Sequence, residues 1–215
     1  MNENLFEAQY DVTKKSKIRK FYDNNKILIY LFVIFLSISV IYSFYYFSKK
    51  ESKKINLAEN YIEAKVYIES DKKEQAKNIL KEIVLSNDST YSSLSLFLIL
   101  NENLITNQKE LSSLFDHLLE NNKFEKEEKN LIIYKKALFQ SNFENEVELI
   151  ETTRPLLNDN SVWKPHALLL LGDYFLSKKQ NIKAKEFYLQ VLSLKGLNRE
   201  LTDHARSRLM IIPNE

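Results

Sequence analysis

The sequence predicts an all-α protein: a single N-terminal transmembrane helix, then a solenoid of about four helical hairpins closed by a C-terminal capping helix. Three observations carry that prediction. The 215 residues hold only two glycines and three prolines, so most of the chain lacks the residues that break helices. Residues 27–47 carry no charged side chain. Beyond residue 55, apolar side chains recur at i, i+3 and i+4, and short polar clusters punctuate them.

The N-terminal elements come first. Residues 1–26 form a short tail with six basic and four acidic side chains. Ile27 to Phe47 then reads ILIYLFVIFLSISVIYSFYYF. As a helix this stretch spans about 31 Å, against a hydrocarbon core of about 30 Å. Ser37, Ser39 and Ser43 can return their hydroxyls to helix carbonyls. Tyr42, Tyr45 and Tyr46 stand at one end, where amphipathic rings favour the headgroup level. The exit, Phe44 to Lys49, is bulky and then basic, without a small-x-small cleavage pattern, so the segment reads as an uncleaved signal anchor. In residues 48–54, Lys49, Lys50, Lys53 and Lys54 outnumber one acid, Glu51, and suit contact with phospholipid headgroups. Six basic residues precede the span (Lys14, Lys15, Lys17, Arg19, Lys20 and Lys26) and four follow it. Positive charge on the short flank holds that flank in the cytoplasm. The larger domain then lies outside it, in the periplasm of a Gram-negative host. No Pro or Gly interrupts Lys26 to Glu69, so one helix is expected to run from the span into the domain.

Residues 55–215 carry 21 basic and 24 acidic side chains, a net of −3 that the whole-chain net of +2 conceals. The pattern predicts helices over 55–70, 72–86, 90–104, 108–121, 125–141, 144–157, 163–178, 181–194 and 198–210. Ser70-Asp71 and Asn87-Asp88-Ser89 are cap-type clusters, and Asn158 to Ser161 is a polar turn ahead of Trp163. Gly196 suits a helix C-terminal cap with positive φ. Trp163 opens a helix and is expected to pack on the preceding hairpin. The last helix has Leu201, Ala205 and Leu209 on one face, with Arg199, Asp203, Arg206 and Arg208 mainly elsewhere, as a capping helix requires.

Register tests the repeat. Gly172 and Ala184 are twelve residues apart, as are Ala64 and Ala76. Small side chains at that spacing let the two helices of a hairpin pack closely. The strings ALLLLGDYFLSKKQNIKAKEFYLQVL and AENYIEAKVYIESDKKEQAKNILKEIV each resemble a tetratricopeptide repeat. They lie 108 residues apart, close to three repeats of about 34 residues. Residues 90–157 keep the helical beat without the small-residue signature and read as degenerate repeats. In such a solenoid the inner groove is lined from the first helix of each hairpin. Here the matching positions are Tyr61, Lys65 and Glu69 in the first repeat, and His166, Leu169, Asp173 and Leu176 in the last. Mixed charge with aromatic and aliphatic side chains suits an extended peptide or a partner helix.

The same composition narrows the chemistry. Without cysteine there are no disulfides, thiolate sites or cysteine-linked lipid anchors. Two glycines cannot build a phosphate-cradling loop or a serine-nucleophile elbow. His117, His166 and His204 stand far apart, and none forms a metal-binding pair at helical spacing. The carboxylates sit at i, i+3 and i, i+4 from lysines, as solvated helix faces do. No enzyme activity, cofactor, metal, small-molecule substrate or nucleic-acid partner is expected.

The complete layout resembles the ancillary-subunit family of the bacterial Sec translocon, the YfgM-like tetratricopeptide proteins. The tail FEAQYDVTKKSKIRKFYDNNK precedes one anchor, a lysine-rich exit leads to AENYIEAKVYI, and LIETTRPLLNDNSVWKPHALLLLGDYFLSKKQNIKAKEFYLQVL resembles the family's C-terminal block. The resemblance implies an inner-membrane protein with periplasmic repeats. It implies association with the translocon and with a membrane-anchored periplasmic chaperone of the prolyl-isomerase type, in a chaperone-like role for exported chains. Two other functions fit the same residues: a cell-envelope assembly scaffold of identical topology, and a targeting receptor with cytosolic repeats.

Overall fold

The computed structural model describes residues 17–158 and 160–213, in two units that divide between Ile55 and Asn56. Most of the 1–26 tail, including Lys14 and Lys15, and Asp159 of the polar turn lie outside the described residues. All regular structure among the described residues is helical: α1 (Lys17–Glu69), α2 (Lys73–Val84), α3 (Ser89–Asn101), α4 (Gln108–Asn121), α5 (Lys126–Gln140), α6 (Glu146–Leu157), α7 (Lys164–Ser177), α8 (Asn181–Ser193) and α9 (Arg199–Ile211). The predicted spans from residue 72 onward match α2–α9 to within three residues.

The first unit is the N-terminal part of α1. Its single non-helical residue is Asn25 (φ −120°, ψ 15°), which kinks the helix just before the apolar run. Asn25 Nδ2 donates to the Phe21 carbonyl (3.0 Å), and the Tyr22 and Tyr30 hydroxyls meet across the kink at 2.7 Å. Ser37 returns its hydroxyl to the Val33 carbonyl at 2.9 Å, as expected for a serine in an apolar span. Helix α1 is long and apolar enough to cross a membrane. Large apolar side chains from Ile27 to Phe47 stand 46–77% exposed wherever they are exposed at all. A patch of that size is far beyond what a soluble surface carries. Lys49, Lys50, Lys53 and Lys54 are exposed on the same helix.

The second unit begins at Asn56 and is a row of hairpins. The C-terminal turns of α1 share a core with α2 across a tight turn, and α3 packs on α4, α5 on α6 and α7 on α8. We call the first helix of each hairpin A and the second B. Neighbouring A helices touch along the row, α5 with α7 and α7 with α9. Three of the four hairpin turns share one hydrogen-bond pattern, which the α5/α6 turn lacks. After α1, Ser70, Asp71 and Lys72 donate to the carbonyls of Val66, Ile68 and Tyr67. After α7, Lys178, Lys179 and Gln180 donate to Tyr174, Leu176 and Phe175, the same three bonds 108 residues later. After α3, Glu102, Asn103 and Leu104 repeat them on Leu98, Leu100 and Ile99. The central residues Asp71, Asn103 and Lys179 all take positive φ (57°, 50° and 58°). Ser70-Asp71 is therefore the C-terminal turn of α1 and not the cap of α2, whose N-cap position, Lys72, makes no side-chain bond.

Asp88, Asn107, Asn145 and Asn198 cap α3, α4, α6 and α9 by accepting from backbone N–H groups one turn in. Gly196 does have positive φ (75°), but the C-cap of α8 is Leu194, so the glycine sits two residues beyond the cap.

Two main cores fill the row. One gathers Leu57 and Ala64 with Ala76, Leu80, Leu96, Phe115 and others as far as Ile132. The second runs from Ala137 and Leu149 through α7 and α8 to Ala205 and Ile212. A small third cluster holds Ile133, Leu156 and Ala167, with Trp163 and Tyr134 against it. Trp163 stacks on Tyr134 of α5 (centroids 5.5 Å apart, planes at 24°), so it does pack on the preceding hairpin. The B helices are linked outside the cores by ion pairs: Lys81 with Glu110, and Lys183 with Glu146 at 2.7 Å. Each is worth at most about 1 kcal/mol. Helix α9 buries Ala205 and half-buries Leu201 and Leu209, the face predicted for it.

Candidate protein-binding groove

The four repeat-defining residues are where the register put them. Ala64, Ala76 and Ala184 are fully buried, and Gly172 is buried. The glycine admits a ring of the partner helix. A Cβ on Gly172 would stand 2.6 Å from Tyr188 Cε1 and 2.9 Å from two further ring carbons, so its near neighbour is an aromatic ring one turn beyond Ala184.

The two predicted groove segments do not form one site. Tyr61 is half-buried with its ring 6.3 Å from that of Tyr91 on α3, and burial raises its pKa above the ordinary 10.0. Lys65 and Glu69 are exposed beyond it. At the other end, His166, Leu169 and Asp173 of α7 line one cavity of about 250 Å³. Leu176 instead packs half-buried against the second core.

Neighbouring helices complete this cavity. Tyr134 and Leu138 enter from α5, and Leu201 and His204 from α9. Asp173 is its electrostatic centre. The Tyr188 hydroxyl donates to Asp173 Oδ1 at 2.7 Å. Arg208 Nε lies 2.9 Å from the same oxygen as an ion pair, although its N–H is not aimed along the contact. His204 Nε2 is 3.4 Å from Oδ2. Burial, then the bond to Asp173, drives the Tyr188 pKa far up. Tyr134 is raised by burial and by the Asp173 charge. Arg208, which the sequence placed mainly off the apolar face of α9, thus turns toward Asp173. His166 and His204, 38 residues apart in the chain, line the same cavity. Among the described residues, no group of three or more His, Cys, Asp or Glu is arranged to hold a metal ion.

Two larger hollows flank it on the same face. One, of about 570 Å³, lies between α3 and α5 over Phe97, Phe139 and Phe143. The other, also about 570 Å³, lies at the turns before α7 and α9, between Lys164 and Lys195. Leu138 borders both the α3/α5 hollow and the central cavity. His166, Asn198 and Leu201 border both the central cavity and the third hollow. Shared lining residues thus make the three hollows neighbours, spread over α3, α5, α7 and α9. The register argument missed the α3/α5 hollow because no small-residue pair marks that hairpin. The cluster Phe139-x-x-x-Phe143 beside Lys135 was the available signal. Compared with family models, curated proteins and solved structures, the chain gives no match.

Proposed function

We propose that this chain is a non-catalytic scaffold anchored in a bacterial inner membrane, where it associates with the Sec translocon and acts like a chaperone on exported polypeptides. One observation supports the reading above the rest: neighbouring hollows lie between the hairpins of a helical domain whose chain also carries a helix long and apolar enough to cross a membrane. Hollows with apolar floors and polar rims suit an extended polypeptide. The membrane helix would keep them beside the site where such polypeptides emerge. The layout shared with ancillary translocon subunits adds the partner, and the lysine-rich flanks add the orientation.

Topology is the first test. Ser16→Cys and Ser177→Cys each introduce the only thiol in the chain. In cells with a permeabilised outer membrane, a membrane-impermeant maleimide is expected to label position 177 and not 16. The reverse pattern puts the repeats in the cytosol and sinks the reading. Purification in mild detergent is then expected to enrich translocon subunits; a preparation without them leaves the envelope-scaffold function in their place.

A further inference from the structure

We propose that the α3/α5 hollow is a polypeptide-reading subsite that takes an apolar, extended segment flanked by acidic rather than basic residues. The inference rests on the reading of the repeat domain as a polypeptide-binding unit and names what one part of its groove selects. Three features of the lining carry it.

The floor is apolar and roomy. Phe97, Phe139 and Phe143 form it, with Phe139 and Phe143 edge to face at 4.8 Å and Phe139 stacked on the buried Phe115 at 6.0 Å. About 570 Å³ exceeds any one side chain and accommodates two or three neighbouring ones. The rim is built of carboxamides. Asn101, Asn103 and Gln108 are exposed and make no side-chain hydrogen bond within the described residues. A carboxamide is the one side chain that offers a donor and an acceptor as a peptide unit does. Three of them around an apolar floor can pair with a backbone whatever its sequence, which is what a site for unfolded chains requires.

Charge supplies the preference. The domain is net acidic, yet among the described residues no Asp or Glu lines this hollow. Its one charged residue is Lys135, which has no ion-pair partner among the described residues. The next lysine on α5, Lys136, is taken by Asp116 at 2.6 Å. An unpaired ammonium beside an uncharged hollow attracts an acidic flank and repels a basic one.

The test uses the full chain in lipid nanodiscs and dye-labelled twelve-residue peptides. Each peptide carries a Leu-Phe-Leu centre in a Ser/Gly background, flanked by two Glu or by two Lys. The Glu-flanked peptide is expected to bind about three-fold more tightly, as an exposed charge pair allows. Lys135→Glu is expected to reverse that order. Leu138 is 40% exposed, so Leu138→Asp leaves the fold intact, and it is expected to weaken both peptides about ten-fold through lost apolar contact. Equal affinity for the two peptides, an order unmoved by Lys135→Glu, or binding indifferent to Leu138→Asp overturns the proposal. So does a phospholipid retained by the wild-type chain and lost from Leu138→Asp, because the hollow then holds an acyl chain. Translocon enrichment with no peptide binding removes this subsite alone; loss of the enrichment removes the wider reading.

Discussion

Hairpins α7/α8 and α3/α4 have helices of nearly the same length, 14 and 13 residues against 13 and 14, and their turns open with the same three hydrogen bonds. They pack differently. Helices α7 and α8 lie in close contact over much of their length, whereas α3 and α4 touch much less. The first pair closes because Gly172 leaves room for the Tyr188 ring and Ala184 follows one turn before it. In the second, α4 brings Leu111, Leu114, Phe115 and Leu118 inward. The small buried residue Ser92 of α3 serves a different contact: its Oγ donates to the Ile83 carbonyl of α2 at 2.9 Å. Close approach has moved from within the hairpin to the junction with the preceding one. The loop between α3 and α4 is also longer, with residues 102–107 against 178–180. The turn thus fixes the direction of each return helix, and side-chain size separately fixes how near it comes.

The largest expected effect tests that separation. Gly172→Val puts branched carbons into the Tyr188 ring and should cost about 3 kcal/mol. Leu138→Phe, an enlargement beside the hollow, should cost less than about 0.5 kcal/mol. Urea unfolding followed by circular dichroism measures both, and equal losses would break the comparison. Next in size is Tyr188→Phe, which removes the bond to Asp173 and should cost about 1 kcal/mol. It also has a pH signature. The folded pKa of Tyr188 lies above the ordinary 10.0, so its contribution is complete below that pH and is lost as pH rises through and beyond it. Unfolding midpoints from pH 8 to 11 should fall more steeply for the wild-type chain than for Tyr188→Phe. The smallest effect concerns the shared turn. Lys179 holds φ 58° without the tolerance that Asn103 and Asp71 have for it. Lys179→Gly should therefore raise stability by up to about 1 kcal/mol, with Asn103→Gly nearer zero. Thermal melts of the two variants sharpen the claim that the turns are interchangeable.

Much of this architecture was legible in the residues. Polar clusters and apolar spacing located the helices because each hairpin must bury one stripe and interrupt it at a turn. The twelve-residue spacing of Gly172 and Ala184 set the register of α7, and the register placed His166, Leu169 and Asp173 in one cavity. What escaped was set by partners remote in sequence. Nothing near His204 or Arg208 announces Asp173, 31 and 35 residues earlier. Nothing near Ser92 announces its bond to the Ile83 carbonyl of α2. The α3/α5 hollow is space left by imperfect filling, and a one-dimensional pattern records side chains rather than gaps.

Helix α5 links the clusters of the core. It contributes Ile132 to one core, Ala137 to the other and Ile133 to the small cluster between them. Among the described residues, α5 is thus the one helix whose buried side chains enter all three clusters of this compact unit. A substitution on its buried stripe is therefore felt in every cluster at once, and Leu138 and Phe139 of the hollow sit on the same helix.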